Sequence, residues 1–401
     1  MVTSVIAWSK RHLDRSVTES LYVFVLTRGL IFAIFILVGH FAVGPPEIGI
    51  VETGPISARN ATINLQDAGS TQTLRQTISQ GDVNLYQDLG RRGYDRQPFG
   101  SDSYGASQYA FFPLLPGLLW LLGAAGLDPL VAATVLSNIF FLGSLILLYK
   151  LARRLNYDER DGSRTILYLA VFPVSYFFSL PMTESLFLLL TLAGFYTALD
   201  EKPLTAGIAG ALASATRANG ILLLPAIIIL YWQRKEEWSM RKVLGLCLMP
   251  LGLIAYMLFS WNRTGDLLAF VHAQHLRSRQ FGFFFGPLFD YLRRPYEVAL
   301  PWNFVLLNVA VVLLAFVCAY LLLKQRQWAL AAYTLLVVLL PLSSSSVMSM
   351  ARYLSVCFPM FIALGASGRS PRVDTLIKVI FIALWGLMTV LFAGRFTMAL
   401  T

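Results

Sequence analysis

From Leu21 to the C-terminus the chain is a succession of apolar runs long enough to cross a bilayer of about 30 Å, separated by mostly short polar loops. Inside hydrocarbon each run must satisfy its own backbone hydrogen bonds, and it does so as a helix. The composition agrees, with 56% hydrophobic and 13% charged residues and a mean hydropathy of +0.63, far from the values of a soluble globular domain. The expected fold class is all-α, a polytopic integral membrane protein forming a single transmembrane domain over residues 1–401.

The formal net charge of +10 would suggest nucleic acid in a soluble domain. Here the basic residues gather in short loops between spans, so topology accounts for the charge and no nucleic-acid partner is expected. With basic loops placed in the cytoplasm, the chain reads as about eleven spans. The first runs from Leu21 to Val43 behind Lys10, Arg11 and Arg15, is too long for a cleaved signal peptide, and puts the N-terminus in the cytoplasm. Residues 44–110 form a long outer loop, and Phe111 to Ala125, short and with two prolines, reads as interfacial or re-entrant. Further spans are expected near 130–149, 165–180, 184–199, 204–216, 219–232 and 243–260. A second outer loop, 261–302, precedes spans near 303–323, 328–342, 353–366 and 376–394. Cys247, Cys318 and Cys357 lie in or beside apolar segments without close partners and read as small buried hydrophobes.

This topology sends Asp82, Tyr86, Glu184, Arg217, the Asp266 region and Arg352 to the non-cytoplasmic ends of their elements, as one cavity open to that side requires. Each has a plainer reading. Asp82 is equally readable as a solvated loop carboxylate, Glu184 as a first-turn residue favoured by the helix dipole, and each arginine as a helix-pairing cation. The second outer loop carries Arg277 and Arg279 among an excess of arginines that runs against the expected charge bias. Arginine forks suit phosphate oxygens, with Phe281, Phe283, Phe284 and Phe285 beside them at the lipid surface; an amphipathic segment on anionic headgroups explains the same pattern. His272 and His275 share a helical face but lack a third ligand, so no metal site is expected. Asn60-Ala61-Thr62 and Asn262-Arg263-Thr264 match the glycosylation acceptor pattern on the outer side.

A set of short motifs in order resembles the PIG-V-type mannosyltransferases, within the GT-C superfamily of lipid-sugar-dependent glycosyltransferases. They are Asp82 with Tyr86 and Gly93-Tyr94, Phe111-Phe112-Pro113-Leu114-Leu115-Pro116, Thr183-Glu184-Ser185-Leu186-Phe187, Thr216-Arg217-Ala218-Asn219-Gly220, Gly265-Asp266 with Phe270 and Gln274, and Ser349-Met350-Ala351-Arg352-Tyr353. The chain departs from the family at Gly81, where a tryptophan usually precedes the aspartate, and at Leu85, where an aromatic usually precedes the tyrosine.

The resemblance implies a GT-C-like fold and transfer of a sugar, mannose, from a polyprenyl- or dolichyl-phosphate donor to an acceptor hydroxyl on the non-cytoplasmic face. It implies Asp82 as general base and Glu184 as a second catalytic carboxylate. Tyr86, Arg217, Asn219, Asp266, Gln274, Arg277, Arg279 and Arg352 are implied as substrate contacts. The donor is a substrate, and no cofactor is obligatory. The acceptor is an unassigned glycan, lipid or protein, with membrane lipids around it and room for an accessory subunit. Compact loops favour a prokaryotic cell membrane over the endoplasmic reticulum. Two other readings stay open at this point, a lipid or lipid-linked sugar transporter and a catalytically inactive scaffold of the same fold.

Overall fold

The computed structural model describes residues 14–41, 70–96, 108–275, 282–293, 304–344 and 346–396. Among them the regular structure is entirely helical. The helices are α1 (Arg15–Phe41), α2 (Ser70–Ile78), α3 (Val83–Arg92), α4 (Leu114–Ala124), α5 (Pro129–Arg154), α6 (Glu159–Ala170), α7 (Thr183–Leu199), α8 (Pro203–Thr216) and α9 (Leu223–Gln233). There follow α10 (Met240–Leu248), α11 (Leu251–Thr264), α12 (Ala269–His275), α13 (Gly286–Arg293), α14 (Phe304–Lys324), α15 (Trp328–Leu342), α16 (Met350–Ser355), α17 (Phe358–Ser367) and α18 (Pro371–Ala393). Five helical stretches are long and apolar enough to cross a membrane: Arg15–Gly39, Pro129–Arg154, Met240–Thr264, Leu306–Lys324 and Pro371–Ala393. Shorter apolar helices pack against these, Thr183–Leu199 on Pro129–Arg154 and Trp328–Leu342 on Phe304–Lys324.

Contacts between helix termini define two ends of the bundle. At one, Arg15 pairs with Glu159, Lys150 with Asp14 at 3.5 Å and Arg154 with Asp200 at 3.5 Å. Gln233 at the end of α9 donates to the Arg326 carbonyl at the same end. At the other, Arg75 pairs with Asp128 at 2.7 Å, and Arg395 donates to Gln76 at 2.6 Å. Most of the described lysines and arginines in the connecting turns sit at the first end.

Several segments that read as uninterrupted spans are broken. The expected span 165–180 is helical only to Ala170, and the chain then passes through a 3-10 turn at Ser175–Ser179. That irregular backbone would leave carbonyls unsatisfied, and Arg28 of α1, 2% exposed, supplies the donors. Its Nη2 donates to the Ala170 carbonyl and its Nη1 to the Ser175 carbonyl, both at 2.8 Å, with the Phe141 ring 4.6 Å away. The expected span 353–366 is likewise divided into α16 and α17 at Val356-Cys357. Between α10 and α11, Pro250 lacks an N–H, and the Ser214 hydroxyl inserts into the helical ladder. It donates to the Met249 carbonyl at 2.8 Å and accepts from the Leu253 N–H at 3.2 Å, bridging the pair that a regular helix would bond directly. Cys318 and Cys357 are buried as expected, whereas Cys247 is exposed because it lies on the outward side of α10.

Ser214 can reach α11 because glycines let the backbones nearly touch. A Cβ on Gly252 would lie 1.9 Å from the Ala211 carbonyl oxygen, and one on Gly245 2.2 Å from that of Pro203. Small residues serve this purpose where helices pack without a hydrophobic gain over lipid. Gly252→Val must push α8 from α11 and is expected to cost about 3 kcal/mol, at the upper end for overpacking, read as a lowered unfolding temperature of the purified protein.

The basic end is tied by Asp161, buried in the first turn of α6, where it and Asp158 form a capping box. Burial opposes its charge, but hydrogen bonds from Arg369, Arg164 and the Asp158 backbone hold its carboxyl below the usual carboxylate range. A lowered folded-state value contributes stability at neutral pH that is lost as pH falls through it. Asp161→Asn should therefore destabilise at pH 7, and its deficit relative to wild type should shrink below about pH 4, in melts across pH.

Candidate functional site

The second end of the bundle carries a cavity of about 350 Å³. Its lining includes Asp82, Tyr86, Phe111, Phe112, Arg217, Asn219, Phe270, Gln274, Ser343, Ser344, Arg352 and Tyr353. The residues come from the start of α3, the segment that enters α4, α12, α16, the end of α15 and the turn after α8. The aromatic wall is held from behind, where Tyr256 of α11 donates to the carbonyls of Tyr109 and Phe111 at 2.8 and 3.0 Å. Tyr94 donates to the same Phe111 carbonyl at 2.6 Å.

Two left-handed residues deliver the charged groups. Gly81, at φ +61°, turns the chain into α3 so that Asp82 stands at its N-terminus. Glycine adopts this conformation without the Cβ penalty that a tryptophan would meet, which gives a local reason for the departure from the family pattern. Ser349, at φ +62°, starts α16, and the buried Asn308 side chain accepts the Ala351 N–H at 2.7 Å to fix that turn. A non-glycine residue in this region stores strain of order 1 kcal/mol, an expense found where geometry is functional. Arg217 is extended between α8 and the following 3-10 turn. Gly220 lets that turn close on α8, because a Cβ there would lie 2.3 Å from the Ala213 backbone.

These elements bring four charges together. Arg352 donates from Nη1 to Asp82 Oδ2 at 2.7 Å and from Nε to Glu184 Oε1 at 2.5 Å. Arg217 donates from Nη2 to the same Glu184 oxygen and from Nε to the Thr183 hydroxyl at 2.7 Å. The Thr183 and Tyr86 hydroxyls lie 3.4 Å apart, which closes the chain of contacts back onto α3. Burial pushes the Tyr86 phenol up to about 12, so it stays a neutral hydroxyl at physiological pH. The Phe177 ring lies 4.7 Å from the Arg352 guanidinium, and the Phe187 ring 5.8 Å from that of Arg217. Glu184 is 0% exposed and Arg352 8%; the Asp82 side chain is 28% exposed, towards the cavity it lines. Two positive and two negative groups balance, which is the condition under which such depth is tolerated.

Of the residues singled out from sequence, Asp82, Tyr86, Arg217, Asn219, Gln274 and Arg352 meet on the cavity wall, and Glu184 joins the two arginines behind it. Asp266 stands outside that lining. Its carboxylate accepts the Leu268 N–H at 2.9 Å and pairs with His272 Nδ1 at 2.6 Å, capping the turn into α12. Arg277 and Arg279 lie outside the described residues. Sequence reasoning named Thr183 and Phe187 only as members of a motif, without their contacts to Arg217, and passed over Phe177 and Met182 beside Arg352, since apolar residues in an apolar run carry no local mark.

Arg352→Met would leave Glu184 to Arg217 alone and withdraw the Asp82 partner. The expected cost is about 3–5 kcal/mol, seen as a lower unfolding temperature. Arg352→Lys should recover only part of it, because a single ammonium cannot reproduce the fork.

Residues 102–239 match the family Mannosyltransferase (PIG-V). That stretch holds Phe111, Thr183, Glu184, Arg217 and Asn219, while Asp82 and Arg352 lie on either side of it. No curated protein matches the sequence. Among solved structures, the apo form of the Archaeoglobus fulgidus oligosaccharyltransferase aligns over 95% of this chain and 56% of its own length, with a TM-score of 0.47 and 12% identity. Archaeal oligosaccharyltransferase AglB from the same organism, in complex with an inhibitory peptide and a dolichol-phosphate, aligns over 98% of this chain and 56% of its own, with a TM-score of 0.47 and 14% identity. The chain thus spans a little over half the length of these two proteins. The central third of the chain, with one carboxylate and one arginine of the charged cluster, carries the sequence pattern of the PIG-V mannosyltransferase family.

Proposed function

We propose that this protein is a membrane glycosyltransferase that moves a sugar, mannose, from a polyprenyl- or dolichyl-phosphate donor to an acceptor hydroxyl. The observation that carries the reading is the partly exposed Asp82 carboxylate on the cavity wall, held at 2.7 Å by a buried arginine, with a second arginine on the same wall. The PIG-V match over residues 102–239 supports mannose as the sugar. In the proposed orientation the basic end of the bundle faces the cytoplasm, the chain crosses the membrane about eleven times, and the cavity opens to the other side.

In the proposed reaction the acceptor oxygen attacks the anomeric carbon as its proton passes to Asp82. The bond from that carbon to the phosphate oxygen breaks, configuration inverts, and the lipid monophosphate leaves with the electron pair. Arg217 balances the charge on the leaving phosphate. Asn219, Gln274, Ser343 and Ser344 offer hydrogen bonds to sugar hydroxyls, and Phe111, Phe112 and Phe270 offer ring faces.

Incubation of purified protein with radiolabelled polyprenyl-phosphate mannose and a membrane glycolipid extract tests the reading. Wild type should transfer label, and Asp82→Asn should lower the rate at least about 100-fold while keeping its fold. A fully active Asp82→Asn protein would remove the base from this role. Donor movement across a vesicle membrane without a labelled product would favour a transporter instead.

A further inference from the structure

Glu184 is the most buried charge of the cluster, and its surroundings give it a different task from Asp82. Its side chain is absent from the cavity wall and has no exposed surface, so neither donor nor acceptor reaches it. One oxygen, Oε1, takes a hydrogen bond from each arginine, while Oε2 has no hydrogen-bond partner among the described residues. Both substrates must therefore feel Glu184 through the guanidiniums it holds.

The two arginines differ in what they have left to offer. Arg352 spends Nε on Glu184, Nη1 on Asp82 and Nη2 on the Met182 sulfur at 3.3 Å. Arg217 spends Nε on Thr183 and Nη2 on Glu184, and its Nη1 makes no hydrogen bond among the described residues although the side chain lines the cavity. Resting on the donor reading above, we propose that Glu184 is a positioning residue that aims Arg217 Nη1 at the donor phosphate while sharing its charge with the arginine that holds the base. Arg217 is then the phosphate contact, and Arg352 a strut of Asp82.

This division predicts opposite effects on binding and turnover. Glu184→Gln keeps the shape and the Oε1 acceptor but removes one negative charge, so the cluster gains a net positive charge. Arg217 then attracts an anion more strongly. Arg352, with one carboxylate left to balance it, grips Asp82 harder and makes proton capture by Asp82 more difficult.

The test uses full-length protein in nanodiscs, with polyprenyl monophosphate as the binding probe and mannosyl transfer as the kinetic readout. Glu184→Gln is expected to bind the probe about tenfold tighter and to transfer at least about tenfold more slowly at saturating donor, with the acceptor KM unchanged. Thr183→Val, which removes the other bond on Arg217 and leaves every ion pair in place, is expected to weaken probe binding about tenfold at unchanged acceptor KM, and it carries the test if the Gln variant does not fold. A raised acceptor KM in Glu184→Gln with unaltered probe binding would put Glu184 on the acceptor and overturn the assignment. A lowered unfolding temperature with normal binding and turnover would make it a structural tie only. If wild type fails to bind the lipid phosphate, the donor reading itself falls, and this assignment with it.

Discussion

A carboxylate with no access to water, shared between two guanidiniums, is the interaction around which this molecule is arranged. Burying Glu184 costs several kcal/mol unless the charge is met with good geometry, and here Arg217 and Arg352 meet it on one oxygen. Because the arginines in turn hold Thr183 and Asp82, one buried charge registers α3, α7, α16 and the turn after α8 against each other. Apolar packing of the same volume would be as stable or more so. An ion cluster kept at this depth therefore marks a candidate functional site, and it stands directly behind the wall of the cavity that Asp82 lines.

The backbone around the cluster is irregular, and each irregularity is satisfied by a specific group. Arg28 takes the carbonyls freed where α6 stops, the Ser214 hydroxyl bridges the break at Pro250, and Asn308 caps α16. Non-helical backbone survives at membrane depth only when protein or a water-lined cavity satisfies it. The breaks also have a use, since Asp82, Arg217 and Arg352 all stand at helix ends, where a turn can aim a side chain into a space that a continuous helix would fill. The left-handed conformations of Gly81 and Ser349 belong to the same design.

Hydropathy was enough to read the all-helical membrane class, and the proline-bearing stretch that becomes α4 was legible as too short for a full span. Those properties are local, each settled by the composition of a window no longer than the element it describes. The charged residues that matter were visible as well, because an ionisable group beside an apolar run is conspicuous. Their roles were not. Asp266 and Asp82 are equally prominent as carboxylates near helix starts, yet one caps the turn into α12 and the other lines the cavity.

What the sequence determined by itself was therefore the class of the molecule and the short roster of polar residues that had to be paired or used. Tertiary structure decided which of them meet. Asp82 and Arg352 are separated by 270 positions, Glu184 and Arg352 by 168, and no local period relates them. Their convergence follows from glycine contacts that set helix spacing, from the Ser214 bridge and the Arg28 clamp that set where helices end, and from the need of a buried carboxylate for every positive charge within reach. These are long-range constraints, and they become visible only when the helices are packed.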